Sequence, residues 1–303
     1  MRVIVVGLGI QGKKRRAVAG ADVVFTVDPF NEEADFRSVA DVPLASFDAA
    51  LLCIPDDPKI SLIKSLVAAG KHVLVEKPLF SSNQTDLLEL LELAKKHKVT
   101  VYTAYNHRFE PHFVSMKKVI EEKLLGKIYS VRMFYGNGTA ALVRDSAWRD
   151  KGAGVLPDLG SHILDTLDFW FDSYFQNFRI ITVRRFENQA PDHVSFFADE
   201  SPLLQLEVTL LSWRNHFYAD VYGEKGSAHI SSLCKWGPST FTTRFRKYPS
   251  GRPDEHSITF TQPDPTWEEE YKYFSQICKN ASNNLQNDLW INHTLQYLQK
   301  DIL

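Results

Sequence analysis

Three glycines near the start constrain this chain more than any other feature. Residues 1–12 read Met-Arg-Val-Ile-Val-Val-Gly-Leu-Gly-Ile-Gln-Gly. Val3 to Val6 are β-branched and apolar, the mark of a strand buried on both faces. Gly7, Gly9 and Gly12 follow at the spacing Gly-x-Gly-x-x-Gly, with Ile10 and Gln11 inside the turn. The first glycine allows a sharp turn and the second lets backbone approach a pyrophosphate. The third lets a helix pack on the strand. The helix N-terminus then offers free N–H groups and positive partial charge to phosphates. The spacing alone is weak, and an ordinary turn could carry it. Here it follows a strand, and Asp28 closes the next one, Val23 to Val27. An acidic residue there accepts hydrogen bonds from an adenosine ribose, so the three parts together predict a dinucleotide site.

Strand and helix signals alternate through the first hundred residues. Ala49 to Ile54 reads as a strand, Lys59 to Ala69 as a helix stopped by Gly70, and Val73 to Glu76 as a strand. Ser81 and Gln84 form a capping box for a helix reaching about Lys96, with Leu87, Leu88, Leu91 and Ala94 as its buried stripe. Thr100 to Ala104 is a further strand. Such alternation predicts an α/β fold with a doubly wound parallel sheet, its ligand at the carboxyl ends of the strands. Between Asp28 and Ala49 the crossover has room for a loop or a single turn only. After Phe109 the pattern changes to a helix, Glu110 to Leu125, and a strand, Ile128 to Phe134. Beyond residue 178 seven strand-like runs follow one another without helices, which implies a mostly antiparallel sheet. Two helices end the chain. The expected domains are 1–104, dinucleotide-binding, and 105–303, an α+β substrate domain with a large open sheet.

Net charge is −2 over 303 residues, which argues against a nucleic-acid partner. The basic run Lys13 to Arg16 could sit near cofactor phosphates or form a solvated helix face. The three cysteines, Cys53, Cys234 and Cys278, have neither metal nor disulfide spacing, so no metal is expected. Apolar runs are too short to span a bilayer. Residues 1–12 lack a signal peptide's basic start, so the expected location is the cytoplasm.

Two stretches carry chemistry. Lys77 lies just past a strand's carboxyl end, in Glu76-Lys77-Pro78, where an ammonium can stabilise a developing alkoxide. A surface lysine at a strand end is the plain alternative. The second stretch is Gly154 to Asp165, in which Pro157 suits a first helical turn. Asp158, His162 and Asp165 then share one face, with Leu159, Ile163, Leu167 and Trp170 opposite. A histidine between carboxylates is a good general base. A structural histidine, or a metal site built from the same three side chains, would show the same pattern.

These stretches, with Tyr105 to Pro111 and Trp148-Arg149, resemble the Gfo/Idh/MocA oxidoreductases. The resemblance runs in order over nearly the whole chain. It implies a Rossmann domain followed by an α+β domain whose sheet often forms the oligomer interface. It implies Lys77 as the catalytic lysine, His162 as acid/base and Asp158 as their substrate-side partner. Trp148 and Arg149 would contact the cofactor, Ile54 and Pro55 would line its adenosine side, and Glu76 would lie beside the nicotinamide ribose. Asn106 and Arg108 would form the active-site floor, or Arg108 a structural ion pair. The chain departs from the family at Asp56, Asp57 and Lys59, where many relatives carry His or Asn. The reaction so implied is hydride transfer between NAD, in preference to NADP, and a secondary alcohol or ketone of a sugar, cyclitol or sugar nucleotide. Rival readings are an NAD-dependent glycoside-cleaving enzyme and a non-enzymatic dinucleotide-binding sensor. Arg144, Arg214, Lys235 and Trp236 are candidate substrate contacts. Phe196, Phe197, Leu204, Leu206 and Phe217 look like an apolar surplus that a homo-oligomer would cover.

Overall fold

The computed structural model describes residues 1–83, 85–146 and 149–302. The first half runs β1 (Val3–Val6), α1 (Ile10–Ala19), β2 (Val23–Val27), β3 (Ala49–Leu52), α2 (Asp56–Ala68), β4 (His72–Glu76), α3 (Thr85–His97) and β5 (Val101–Ala104). Then come α4 (Pro111–Glu121), β6 (Ile128–Gly136), α5 (Ala140–Arg144) and α6 (Ser161–Phe171). Seven strands follow: β7 (Phe178–Arg184), β8 (His193–Ala198), β9 (Leu203–Thr209), β10 (His216–Gly223), β11 (Gly226–Ser231), β12 (Ser239–Phe245) and β13 (Asp254–Phe260). Helices α7 (Thr266–Ile277) and α8 (Leu285–Gln299) end the chain.

The chain divides into two compact units. The first holds Met1–Asn106 and Pro265–His293, and the second holds His107–Asp264 and the residues from Thr294 onward. The expected division at 104/105 put everything C-terminal into one domain. The structure instead returns 265–293 to the N-terminal unit. The physical reason is cover. A parallel sheet must bury both faces, and α2 and α3 pack on one side with Ile4, Val6, Leu52 and Val75. On the other side Tyr271 and Phe274 of α7 close over Val3, Val5, Leu51, Leu74 and Tyr102. Asn284 also seals the outer edge of β5: its amide accepts the Thr103 N–H (2.9 Å) and donates to the Thr103 carbonyl (2.9 Å).

The first sheet has order β2-β1-β3-β4-β5, with every pairing parallel. The expected loss of a crossover helix after Asp28 is what the structure shows. Two single 3-10 turns, Val39–Asp41 and Leu44–Ser46, replace it. Phe36 bridges to Val27 as a remnant strand beside β2, the edge of the sheet. The expected stripe of α3 needs one correction. Leu88 is 53% exposed and Leu90 is fully buried. From Leu87 the buried face runs i, i+3, i+4, i+7, which selects Leu90, Leu91 and Ala94 and turns Leu88 outward. Of the expected capping box, Gln84 lies outside the described residues; Ser81 Oγ donates to Asp86 (2.7 Å).

The second sheet has order β13-β12-β11-β10-β6-β9-β8-β7. All its pairings are antiparallel except β6 with β9. Strand alternation sends Val131, Met133, Tyr135, Phe196, Leu204, Leu206, Phe217 and Val221 to a buried face. Four of the five residues taken as an apolar surplus are therefore covered by the chain itself, and Phe197 alone lies on the other face, half-buried. Phe113 of α4 and Trp170 of α6 supply part of that cover. The opposite face is mixed, carrying Phe134 stacked on Tyr218 (5.3 Å between ring centres) among Arg132, Glu207 and Asp220.

Candidate active site

The glycine turn is built by steric necessity. Gly7 has φ +87°, and a Cβ there would strike the Cys53 carbonyl oxygen. A Cβ on Gly12 would overlap the Gly7 carbonyl oxygen, so α1 can lie against β1 only without a side chain at that position. Gly9 is different: its Cβ would meet nothing within 4 Å. Gly9 is also the N-cap of α1 and supplies no side-chain cap. An open approach beside uncapped helical N–H groups is what a pyrophosphate needs. Ile10 is 87% exposed at the start of that helix, followed by exposed Gln11.

Asp28 stands at the carboxyl end of β2. Its Oδ2 accepts the Leu8 N–H (2.7 Å), and Oδ1 accepts those of Phe30 (2.9 Å) and Asn31 (3.0 Å). Burial pushes its pKa up, but these three main-chain donors, helped by Arg37, hold it below the usual carboxylate range. A carboxylate oxygen has two lone pairs, so Oδ2 can still take a ribose hydroxyl. The residues present therefore fit a dinucleotide. The sequence pattern around Asp28 did not point to Arg37, which the shortened crossover folds back to donate to the Asn31 carbonyl. A return nine residues after Asp28 leaves no trace in local spacing.

The basic run Lys13 to Arg16 divides: Lys13, Lys14 and Arg16 are exposed, as a solvated helix face requires, and Arg15 is buried. Arg15 is 1% exposed and donates to Glu76 (2.7 Å) and to Glu270 of α7 (2.6 Å), with Trp267 stacked on it at 4.1 Å. Lys14 lies over the same Trp267 ring. Lys13 and Arg16 line a cleft of about 740 Å³ along the β2 edge, with Glu33 and Asp35. That cleft runs along the flank of the sheet rather than at its carboxyl ends.

Glu76 ends β4, half-buried and tied to Arg15, and Lys77 follows it, half-buried. Ile54 and Pro55 follow β3, and Pro55 caps α2. The Lys77–Pro78 peptide bond is cis. Gly7, Asp28, Ile54, Pro55, Glu76 and Lys77 thus all lie at the carboxyl ends of one parallel sheet. Cys53 sits there too, but burial pushes its thiol far up, so it is no nucleophile at neutral pH.

The second unit holds the histidine cluster. A π-helical turn, Leu156–Gly160, leads into α6. His162 is buried, stacked on His107 (4.1 Å between ring centres, 20°) and edge-on to Tyr135 (5.7 Å). Lys235 Nζ approaches His107 Nε2 at 3.2 Å. An ammonium has only donors, so opposite a protonated Lys235 the acceptor is His107 Nε2. Trp236 packs on Tyr135 at 5.8 Å. Burial, and then the charge of Asp158, push the Tyr135 phenol up and keep it protonated. Sequence spacing did not single out His107 or Tyr135 as active-site residues. The available signals were the Tyr105 to Pro111 motif and the inward register of Tyr135 with Val131 and Met133.

The one-face triad of Asp158, His162 and Asp165 needs revision. Asp158 pairs with Arg149 (3.4 Å). Asp165 is gripped by Arg108 at Nε (2.9 and 3.0 Å) and Nη2 (2.6 Å), and Arg108 also reaches Asp168 (2.6 Å). Asp165 is thus a structural anion, and Arg108 is its ion-pair partner. Asp158 lies in the π turn that precedes α6, ahead of His162 in its first turn. Leu159, Ile163, Leu167 and Trp170 are buried as expected, but so is every residue from Ser161 to Leu167. Asn106 donates to Thr266 (2.8 Å). Arg144 is exposed and paired with Asp145 and Glu187, and Arg214 is exposed. Trp148 lies outside the described residues. Among the described residues no group of three or more His, Cys, Asp and Glu is placed to hold a metal ion.

Residues 1–105 match the model of an oxidoreductase family with an NAD-binding Rossmann fold, and residues 113–229 match the Gfo/Idh/MocA C-terminal domain. The chain belongs to the Gfo/Idh/MocA oxidoreductases. Among its relatives, inositol 2-dehydrogenase 1 of Saccharopolyspora erythraea is 34% identical over 143 residues, 46% of this chain and 39% of that protein. Levoglucosan dehydrogenase of Pseudarthrobacter phenanthrenivorans is 28% identical over 140 residues, 45% of this chain and 35% of that protein. The aligned segments cover less than two thirds of either relative. In three dimensions a levoglucosan dehydrogenase in complex with NADH superposes with a TM-score of 0.84 at 17% identity, covering 100% of this chain and 96% of that one. An Agrobacterium radiobacter oxidoreductase in complex with NAD+, L-tartaric acid and magnesium gives 0.82 at 12%, covering 100% and 96%. At such identities the superpositions establish a shared fold. Among the described residues of this Gfo/Idh/MocA chain, no helix is long and apolar enough to cross a membrane.

Proposed function

We propose that this chain is an NAD-dependent dehydrogenase or reductase for a secondary alcohol or ketone of a small carbohydrate, a sugar, cyclitol or sugar nucleotide. The observation that carries the reading is the first sheet itself. It places Lys77 at the carboxyl end of β4, in the same row of strand ends as the open Gly9 turn and Asp28. NAD, when bound, supplies the hydride acceptor or donor. The α1 N-terminus holds its phosphates through Gly7, Gly9, Ile10, Gln11 and Gly12, and Asp28 takes the adenosine ribose. Ile54 and Pro55 line the adenosine side, Glu76 the nicotinamide ribose, and Trp148 and Arg149 add further contact. Lys77 donates to the substrate oxygen and stabilises negative charge on it. His162 removes the hydroxyl proton, and Asp158 supports the protonated ring from the substrate side. Names of relatives, inositol 2-dehydrogenase and levoglucosan dehydrogenase, support the carbohydrate class. The setting is cytoplasmic, and the assembly a homo-oligomer through the open face of the second sheet.

The test is NADH formation, read at 340 nm, with NAD and a panel holding myo-inositol, levoglucosan, glucose and UDP-sugars. Net NADH with at least one of them supports the reading. Glycoside cleavage without net NADH would replace it with the hydrolytic alternative, and dinucleotide binding with no turnover on any of them would favour a sensor.

A further inference from the structure

One lysine is buried beneath the site and has no place in the chemistry above. Lys59, on the first turns of α2, is 3% exposed. Its Nζ donates to Asp56 Oδ1 (2.7 Å), to the Glu76 carbonyl (2.9 Å) and to the Pro78 carbonyl (3.2 Å). An ammonium has three N–H donors, and here three acceptors take them. Lys59 therefore has no donor left for a cofactor or a substrate. Its two main-chain acceptors are the residues immediately before and after Lys77. Two fixed carbonyls on either side of one residue fix the peptide planes that flank it, and with them the direction in which its side chain leaves the backbone.

We propose that Lys59 is the positioning residue for Lys77: a buried cationic clamp on the backbone that bears the catalytic amine. The inference rests on the assignment of Lys77 as the catalytic lysine. Asp56, at the N-terminus of α2, neutralises and orients Lys59, so the two residues form one device. On the far side of the same segment Arg15 holds the Glu76 carboxylate, so Glu76 is gripped by its main chain and by its side chain from two helices. Misplacing a catalytic group by about 1 Å can cost on the order of 10²-fold in rate.

The test compares Lys59→Met, Lys59→Arg and Asp56→Ala with the unaltered protein. The amine of Lys77 is labelled competitively with trace acetic anhydride across pH 7–11 and quantified by mass spectrometry against the exposed Lys96 and Lys118. Lys59→Met should change the relative labelling of Lys77 by at least about threefold, while NAD binding, followed by tryptophan quenching, stays within about threefold. NADH formation from the best substrate of the panel should fall about 10- to 100-fold in kcat. Lys59→Arg, which keeps a cation with several donors, should restore most of both. Should Lys59→Met fail to fold, Asp56→Ala carries the test, since Asp56 is half-exposed; it should move Lys77 labelling in the same direction by less. Unchanged Lys77 labelling in the folded variants overturns the clamp. Full turnover in Lys77→Ala would instead overturn the assignment of Lys77, while the labelling ratio would still report whether Lys59 positions it.

Discussion

At the scale of single residues the two groups assigned to chemistry make the sharpest prediction. Lys77→Ala and His162→Ala should each cripple turnover and leave dinucleotide binding largely intact. Loss of a general base removes about 10²–10⁴-fold in rate, and loss of an oxyanion-type donor about 10²–10³-fold. In the proposed mechanism both act on one hydroxyl, so the double variant should lose less than the product of the single losses. A His162→Ala protein with unchanged kcat would remove the mechanism. Arg15 makes a stability prediction of equal definition. Its guanidinium is fully buried between Glu76 and Glu270. Burial penalises the charge, but the two carboxylates more than compensate and raise its pKa. Removing one member of a buried ion network typically costs about 3–5 kcal/mol, because the remaining charges lose their counterion. Arg15→Ala should therefore lower the melting temperature by roughly 10 °C. A loss below about 2 °C would show that the network is solvated.

At the scale of elements the turn from β1 into α1 and the end of β2 decide cofactor choice. Asp28 is ionised at neutral pH and would repel a 2′-phosphate while accepting a 2′-hydroxyl. Arg37 donates to the neighbouring Asp28 and Asn31 carbonyls, and its charge lessens the repulsion. Tryptophan quenching should give tighter binding of NAD than of NADP, and Asp28→Asn should narrow the gap. Tighter NADP binding by the unaltered protein would overturn this assignment. The same carboxylate has a pH signature. Its folded pKa is depressed, so its stabilising contribution is complete above the unfolded value of about 3.9. That contribution is lost as pH falls through the folded pKa. Asp28→Asn should flatten the acid limb of a melting-temperature profile below about pH 4, and an unaltered acid limb would refute it.

At the scale of the molecule the proposed assembly concerns the open face of the second sheet. Phe196, Leu204, Leu206 and Phe217 are buried by the chain's own elements, so they cannot drive association. Phe134, Phe197 and Tyr218 on the opposite face can, set among charged neighbours. An extended sheet face of this kind suits a self-complementary interface. Light scattering at micromolar concentration should give a multiple of 34.6 kDa. Phe134→Glu with Tyr218→Glu should return it to one, and a monomeric unaltered protein would refute the interface.

Local pattern determined most of the first sheet. Strand Val3–Val6, the glycine turn and the stop at Gly70 follow from steric rules that act within a few residues. The alternation of strands and helices determined the parallel sheet, and the unbroken run of strands determined the second one. The motifs placed Lys77 after a strand and His162 on a helix. What escaped the sequence are contacts between residues distant in the chain. Glu270 lies 255 residues from Arg15, Arg37 folds back over Asp28, and Lys235 reaches His107 across 128 residues. Likewise α7 rejoins the N-terminal unit only because one sheet face needs cover. Periodicity records which face of an element is apolar; which distant side chain or helix meets it is decided by packing and charge in three dimensions.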